Sequence, residues 1–152
     1  MRILTLLRRE QRTPMTVLPN PISTWHQIVR TRDLSVLDNL LADDVVFHSP
    51  VVHTPQRGRE LTRMYLTAAM QVLNGDAFHY LRELVNERDA MLEFETVLDG
   101  ITINGIDLIR WDEHGRIIDF KVMVRPLKAI NVLHQKMAQN LSSPSSGAEK
   151  IR

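Results

Sequence analysis

The sequence predicts an α+β protein in which a cone-shaped, curved antiparallel sheet wraps around one long helix. The first observation is order, because helical patterns fill the first half of the chain and strand patterns follow over residues 78–124. The second is connection length, because turns such as Asp99-Gly100 join only antiparallel neighbours. The third is an apolar stripe along residues 59–73, which suits a helix packed inside the sheet. The open end of such a cone is a natural pocket.

Composition is that of a soluble globular protein. The 152 residues are 43% hydrophobic, and 19 basic residues nearly balance 18 acidic ones. This balance gives no reason to expect nucleic acid as a partner, and the absence of cysteine excludes disulfides and thiolate chemistry. The apolar run 3–7 is too short for a signal core or a membrane span. We therefore predict a soluble, cytoplasmic protein that binds neither nucleic acid nor membranes.

Three segments are predicted along the chain. Residues 1–20 form a flexible N-terminal extension, and a basic amphipathic anchor over residues 1–15 is the alternative. Residues 21–141 form a single domain. Residues 142–152 are rich in serine, lack periodicity and are predicted to be disordered.

The first half of the domain carries two short helices, a strand and the long helix. Ser23 or Thr24 is suited to cap the first helix, which includes Trp25. The elements that follow are predicted as helix 34–41, closed by 42–44, strand 45–49, loop 50–58 and helix 59–73. Prolines punctuate the loop, and Asn74-Gly75 ends the long helix.

Alternating apolar residues in the second half predict a run of four strands and then a final helix. The strands are residues 78–86, 90–98, 102–111 and 117–124, and the amphipathic helix is residues 127–141. Leu92 and Phe94 share one face of their strand, while Glu93 and Glu95 share the other. One face of the sheet is therefore predicted to be buried and the other wetter.

Asp107 does not fit the apolar pattern around it. Strand parity places it on the same face as Ile103, Ile109 and Trp111. Burying a carboxylate is costly unless it is paired, hydrogen-bonded or protonated. We interpret Asp107 as a pocket acid or base; the alternative is a structural carboxylate held by the Trp25 N–H, a backbone amide or an arginine.

The predicted faces and loops supply further candidate pocket residues. They are Trp25, Ser49, His53, Tyr65, Phe94, Phe120 and Val124. Parity turns Ser49 inward and His48 outward. His53 lies in the loop that should rim the pocket, as a proton carrier or as an ordinary surface histidine. No motif indicates a cofactor, and the histidines and acids are too scattered for a metal site, so we predict neither.

Five local motifs within residues 22–140 resemble those of a known family. They are Arg32-Asp33-Leu34, Leu41-Ala42-Asp43-Asp44-Val45, His48-Ser49-Pro50, Gly58-Arg59-Glu60 and the hairpin Ile106–Ile117. The family is the nuclear transport factor 2-like superfamily, most closely its SnoaL-like branch, which includes polyketide cyclases. This resemblance implies the cone-shaped, cystatin-like α+β barrel. The hairpin is also similar to that of bacterial ketosteroid isomerase.

The resemblance to ketosteroid isomerase implies roles position by position. Asp107 matches the protonated aspartate of its oxyanion hole. The aspartate base falls on Ser49, which takes up no proton at neutral pH, and the oxyanion tyrosine falls on Trp25, which donates only through its indole N–H. Ketosteroid isomerisation is therefore not expected. The resemblance to polyketide cyclases instead implies that Asp107 is a general acid/base for an enolisable substrate.

These observations favour a cofactor-free protein of the SnoaL-like type that binds an apolar, carbonyl-bearing molecule, with Asp107 as acid/base or anchor. A cyclase, isomerase or hydratase-like activity would suit that site, and a non-catalytic dimeric binding or interaction module is the alternative. The outer sheet face carries Val97, Leu108 and Met123 among its charges. We expect a homodimer through that face, as the resemblance also implies, unless the helix from Leu127 covers it.

Overall fold

The computed structural model describes residues 19–142, which form four helices and six strands. The helices are α1 (Ile22–Thr31), α2 (Leu37–Leu40), α3 (Arg59–Leu73) and α4 (Leu127–Ser142). The strands are β1 (Leu41–His48), β2 (Gln56–Arg57), β3 (His79–Val85), β4 (Asp89–Leu98), β5 (Ile101–Trp111) and β6 (Ile117–Arg125). Predictions for residues 1–18 and 143–152 lie outside the described residues. Within residues 19–142, no helix is long and apolar enough to cross a membrane.

The six strands form one curved, open sheet in the order β2-β1-β6-β5-β4-β3. The pairs from β3 to β6 are antiparallel, as their short connections predicted. β1 pairs with β6 in parallel, because the chain passes through α3 and three further strands before it returns to β1. The predicted fold class, a curved α+β sheet around a long helix, is confirmed, although the sheet is mixed and does not close.

Three predictions for the first half are wrong: the extent of the second helix, the start of the first strand and the cap of the first helix. The helix predicted over residues 34–41 is only the single turn α2, and Asp43 and Asp44 lie inside β1. Pairing of Leu41 with Ile117 of β6 explains the change, because tertiary contacts override local helical spacing. At α1, the Oδ1 of Asn20 accepts the Ile22 N–H at 2.8 Å, and no serine or threonine caps the helix.

The core lies between the concave face of the sheet and the helices α1, α3 and α4. β4 and β5 alternate between buried and partly exposed residues along most of their length, as the sequence predicted. Gly105 makes room for an aromatic ring, because a Cβ at this position would lie 2.2 Å from the Phe94 Cζ. The Phe94 ring therefore covers the concave side of β5 at Gly105.

Candidate functional site

The concave side of the sheet encloses a cavity of about 220 Å³, which we call the inner cavity. Its wall combines α1, the loop after β1, α3, the central strands and α4. Most lining side chains are aliphatic or aromatic. The polar or aromatic lining residues are Trp25, Phe47, Ser49, Tyr65, Asn74, Phe78, Tyr80, Phe94, Asp107, Phe120 and His134. An apolar wall with few polar groups is typical of a small-molecule site.

Asp107 lies on the concave face of β5, between its pairing partners Leu92 on β4 and Val122 on β6. It is 7% exposed. Among residues 19–142, no hydrogen bond or ion pair reaches its carboxyl group. Burial raises the pKa of Asp107 from 3.8 to about 8, because the charged form loses its hydration in the apolar wall. The carboxyl group is therefore mostly protonated at neutral pH and can donate as well as accept.

Tyr80 of β3 is the neighbouring polar group that the sequence analysis missed. Its hydroxyl oxygen accepts a hydrogen bond from the Trp25 Nε1 at 3.1 Å. Burial and then the negative charge of ionised Asp107 raise the pKa of Tyr80 well above its usual value. The phenol thus stays protonated. Because its oxygen already accepts the indole N–H, and no acceptor for its own proton is described, Tyr80 can donate into the inner cavity.

The indole N–H of Trp25 therefore serves Tyr80 and not Asp107. This removes the first of the partners suggested for a structural carboxylate. No arginine or backbone amide within the described range takes its place. Asp107 is consequently a buried acid without a protein partner, and such a group is destabilising unless a ligand or water meets it.

Aromatic contacts fix the positions of these groups. The Trp25 ring meets the edge of Phe120 at a centroid distance of 4.9 Å. The Tyr80 ring makes edge contacts with Phe78 at 5.2 Å and with His26 at 4.9 Å. His26 is in turn held by Glu83, with Nε2 and Oε1 2.8 Å apart. A polar group held from several sides needs little reorganisation to meet a ligand.

Ser49 and Tyr65, two of the predicted pocket residues, also line the inner cavity. Ser49 follows the last residue of β1, and its Oγ accepts the N–H groups of Val51 and Val52 at 3.1 and 3.3 Å. Its hydroxyl therefore shapes the loop. The Tyr65 ring stacks on Phe47 with ring centroids 5.6 Å apart, so Tyr65 also packs in the core.

Val124 and His53, predicted as pocket residues, do not line the inner cavity. Val124 pairs with Gly105, and the Phe94 ring fills the concave side at that point. His53 is exposed in the loop beyond the segment 49–52 that reaches the cavity. His48 contacts Asp119 of β6, with Nε2 and Oδ2 2.8 Å apart, and does not line the cavity.

Four residues that line the cavity are themselves exposed, and we call them the rim: Val52, His134, Ala138 and Leu141. They belong to the loop after β1 and to α4. The inner cavity therefore has an open side between this loop and α4, and a buried end that holds Asp107. His134 could not be predicted as a pocket residue from the sequence, because the pattern of α4 shows only that the helix is amphipathic.

The described residues contain no group of three or more His, Cys, Asp or Glu side chains that could hold a metal ion. The polar groups of the cavity are instead dispersed as a carboxyl, phenols, an indole, the Ser49 hydroxyl, the Asn74 amide and a rim imidazole. Neutral donors in an apolar wall suit a ligand oxygen that carries partial negative charge, such as a carbonyl.

A model of the SnoaL-like domain family matches residues 22–120. No curated protein matches the chain. A steroid delta-isomerase from Pseudomonas aeruginosa is 40% identical, with a TM-score of 0.77 over 80% of this chain and 89% of that one. A bacterial protein with a cystatin-like fold from Silicibacter pomeroyi is 29% identical, with a TM-score of 0.77 over 85% and 90%. An epoxide hydrolase/cyclase-like enzyme of salinomycin pyran ring formation is 12% identical, with a TM-score of 0.55 over 68% and 87%, a likeness of fold alone.

Proposed function

This chain belongs to the SnoaL-like domain family of the nuclear transport factor 2-like superfamily, and on that premise we propose that it binds a small, apolar, carbonyl-bearing molecule in the inner cavity. Asp107 and Tyr80 donate hydrogen bonds to the carbonyl oxygen at the buried end. The observation that carries the proposal is the carboxyl group of Asp107, which is buried without a partner among residues 19–142 and has a pKa of about 8. A bound carbonyl would supply the missing acceptor.

The same two donors support acid/base chemistry without a cofactor. When a proton leaves the carbon next to a carbonyl, negative charge develops on the oxygen, and donors fixed in an apolar wall stabilise it. The similarity to a steroid delta-isomerase supports an enolisable carbonyl as the ligand class. Ser49 does not supply the base of that reaction, because its hydroxyl accepts two loop N–H groups. The proton passes instead to water at the open side of the inner cavity. If the protein is an enzyme, its reaction is a cyclase, isomerase or hydratase-like proton transfer.

A non-catalytic binding or interaction module is the second candidate. It is favoured by the outer sheet face, where Leu84, Val97 and Met123 are 63%, 51% and 48% exposed. We propose that a second copy of the chain packs on this face. Analytical ultracentrifugation tests this, because Val97→Asp is then expected to produce monomers. A wild-type monomer at micromolar concentration would contradict the dimer.

The experiment for ligand binding compares a bicyclic enone with the matching hydrocarbon, using quenching of tryptophan fluorescence. We expect the enone to bind wild type about tenfold more tightly, because each good hydrogen bond contributes about 1 kcal/mol. The preference should shrink in Asp107→Leu and in Tyr80→Phe, because each variant removes one of the two donors, and it should persist in Asp119→Asn, a control on the outer face. It should also fall as the pH rises through about 8, where Asp107 loses its proton.

Equal binding of the enone and the hydrocarbon to wild type would contradict the proposed donors. Exchange of the ketone α-protons in D₂O, followed by NMR, then separates catalysis from binding. Exchange that is faster with wild type than with Asp107→Leu supports the enzyme, whereas tight binding without exchange supports the binding module.

A further inference from the structure

The volume and polarity of the inner cavity narrow the ligand class. We infer that the cavity binds a ketone or enone of one or two rings, with the carbonyl oxygen at the buried end, and that it is too small to enclose a steroid. This inference rests on the proposed function. At about 220 Å³ the inner cavity is small. A cavity of about 150 Å³ holds benzene, whereas pockets for drug-sized ligands span about 300–1,000 Å³. A bicyclic skeleton falls between these limits, and a tetracyclic one exceeds the space.

Aromatic rings that support one another close the sides of the cavity. Phe94 lies over Gly105 and stacks against Phe78, with ring centroids 5.3 Å apart. Trp25 packs on Phe120 at 4.9 Å. Widening the cavity on these sides would separate packed rings, which is unfavourable in a dense core. A ligand with more than two rings must therefore extend past the rim, where its extra apolar surface remains in water.

The distribution of polar groups sets the direction in which the ligand enters. Asp107 and Tyr80 are at the buried end, and the exposed lining residues form the rim. A carbonyl therefore meets its donors only if it enters first, followed by an apolar body. A polar group in the middle of the ligand would lie against a wall that is mostly aliphatic and aromatic and would weaken binding.

Met137 of α4 is the wall residue best suited to test the size limit. It is partly buried, lines the inner cavity, and ends in a flexible thioether. Val132, five residues earlier on the same helix, is 8% exposed and does not line the cavity. Met137→Ala enlarges the cavity, whereas Val132→Ala is a matched control that removes core volume elsewhere.

The test titrates wild type and both variants with a monocyclic, a bicyclic and a steroidal enone, and with the hydrocarbon of the same skeleton as the control for each enone. The titrations are made at about pH 6, below the pKa of Asp107 of about 8. In wild type we expect affinity to rise at least about tenfold from one ring to two, because more apolar surface is buried. The steroid should gain nothing further. Met137→Ala should improve steroid binding at least about fivefold relative to the bicyclic enone, and Val132→Ala should not.

The hydrocarbon series separates failure of this inference from failure of the proposed function. If the wild-type protein binds the steroid tenfold more tightly than the bicyclic enone, the size limit is wrong while the carbonyl site stands. If each hydrocarbon binds as well as its enone, the donors are wrong, and the ring series still measures the size limit. If none of the compounds binds, both proposals are overturned.

Discussion

Asp107 and Arg110 lie three residues apart on β5 but face opposite sides of the sheet. Arg110 is exposed, and its Nε lies 2.6 Å from the Asp89 Oδ1. Asp107 is buried, and within the described residues it has no partner. The outer acids Glu93 and Asp119 resemble Asp89, since each lies 2.8 Å from a basic side chain. One strand thus carries a satisfied charge on its outer face and an unsatisfied acid on its inner face.

This difference separates stability from function. Exposed ion pairs contribute little to the free energy of unfolding, because water already solvates both charges. A buried acid without a partner lowers the stability of the folded chain, so a structural account gives no reason for it. A ligand that accepts a hydrogen bond from the protonated carboxyl group does explain why the acid is buried there. The inner face should therefore respond strongly to substitution and pH, and the outer face weakly.

The largest expected effect is on the pH dependence of stability, tested with Asp107→Asn. The pKa of Asp107 is raised from 3.8 to about 8, so between these pH values the native state holds a proton that the unfolded state has released. The free energy of unfolding of wild type should therefore fall by on the order of several kcal/mol from about pH 4 to about pH 8, then level off. The variant lacks this ionisation and should lose this slope. Urea unfolding across the range measures both.

Asp119→Asn is the matched control for this prediction. Asp119 lies on β6 beside His48, with 40% of its side chain exposed. This variant should keep the part of the wild-type slope that comes from Asp107. If the free energy of unfolding of Asp107→Asn changes with pH in parallel with that of wild type, the carboxyl group is solvated in the native state. The contrast between the two faces then disappears.

The inward position of Asp107 could be predicted because strand parity is local. Each residue of β5 turns opposite to the one before, and its neighbours Ile103, Ile109 and Trp111 mark the buried side. The same reasoning brought Phe120 to the pocket, whereas Trp25, on a helix, came from the resemblance to ketosteroid isomerase. Apolar residues at helical spacing and the Asn74-Gly75 stop were enough to predict α3 with the correct bounds, Arg59–Leu73.

Other features depended on contacts between distant parts of the chain. Tyr80 was missed because the pairing of β3 with β4 shifts register between Tyr80 and Arg82, so alternation along β3 no longer identifies its inward face. Pairing of β1 with β6 is likewise non-local, and it extended β1 back through Asp43 and Asp44. Val124 has the correct parity, but the Phe94 ring excludes it from the cavity.

The next largest effect is expected on stability when each of the two tryptophans is replaced. The Nε1 of Trp25 donates to the Tyr80 hydroxyl, whereas the Nε1 of Trp111 is buried without a partner among residues 19–142. Replacement by phenylalanine removes similar volume at both sites. Trp25→Phe also breaks a hydrogen bond, while Trp111→Phe removes an unsatisfied donor, so Trp25→Phe should be more destabilising by about 1–2 kcal/mol. Chemical denaturation measures this difference.

Ligand binding sharpens the same comparison. Trp111 is unsatisfied but does not line the inner cavity, so its replacement should leave enone affinity unchanged. Trp25→Phe should weaken enone binding, because Tyr80 loses the donor that orients its hydroxyl. An equal loss of enone affinity in both variants would mean that general disturbance of the core, and not a place on the cavity wall, determines the effect.

The smallest effect is expected for Arg110→Gln on the outer face. The Arg110 side chain is 62% exposed and its partner Asp89 is 41% exposed, so water and salt screen the pair. Neither the free energy of unfolding nor the enone affinity should change measurably in physiological salt. A loss as large as that of Trp25→Phe would show that the pair is shielded from water in solution. A second copy packed on the outer face would provide that shielding, so repeating the measurement with Val97→Asp should then abolish the loss.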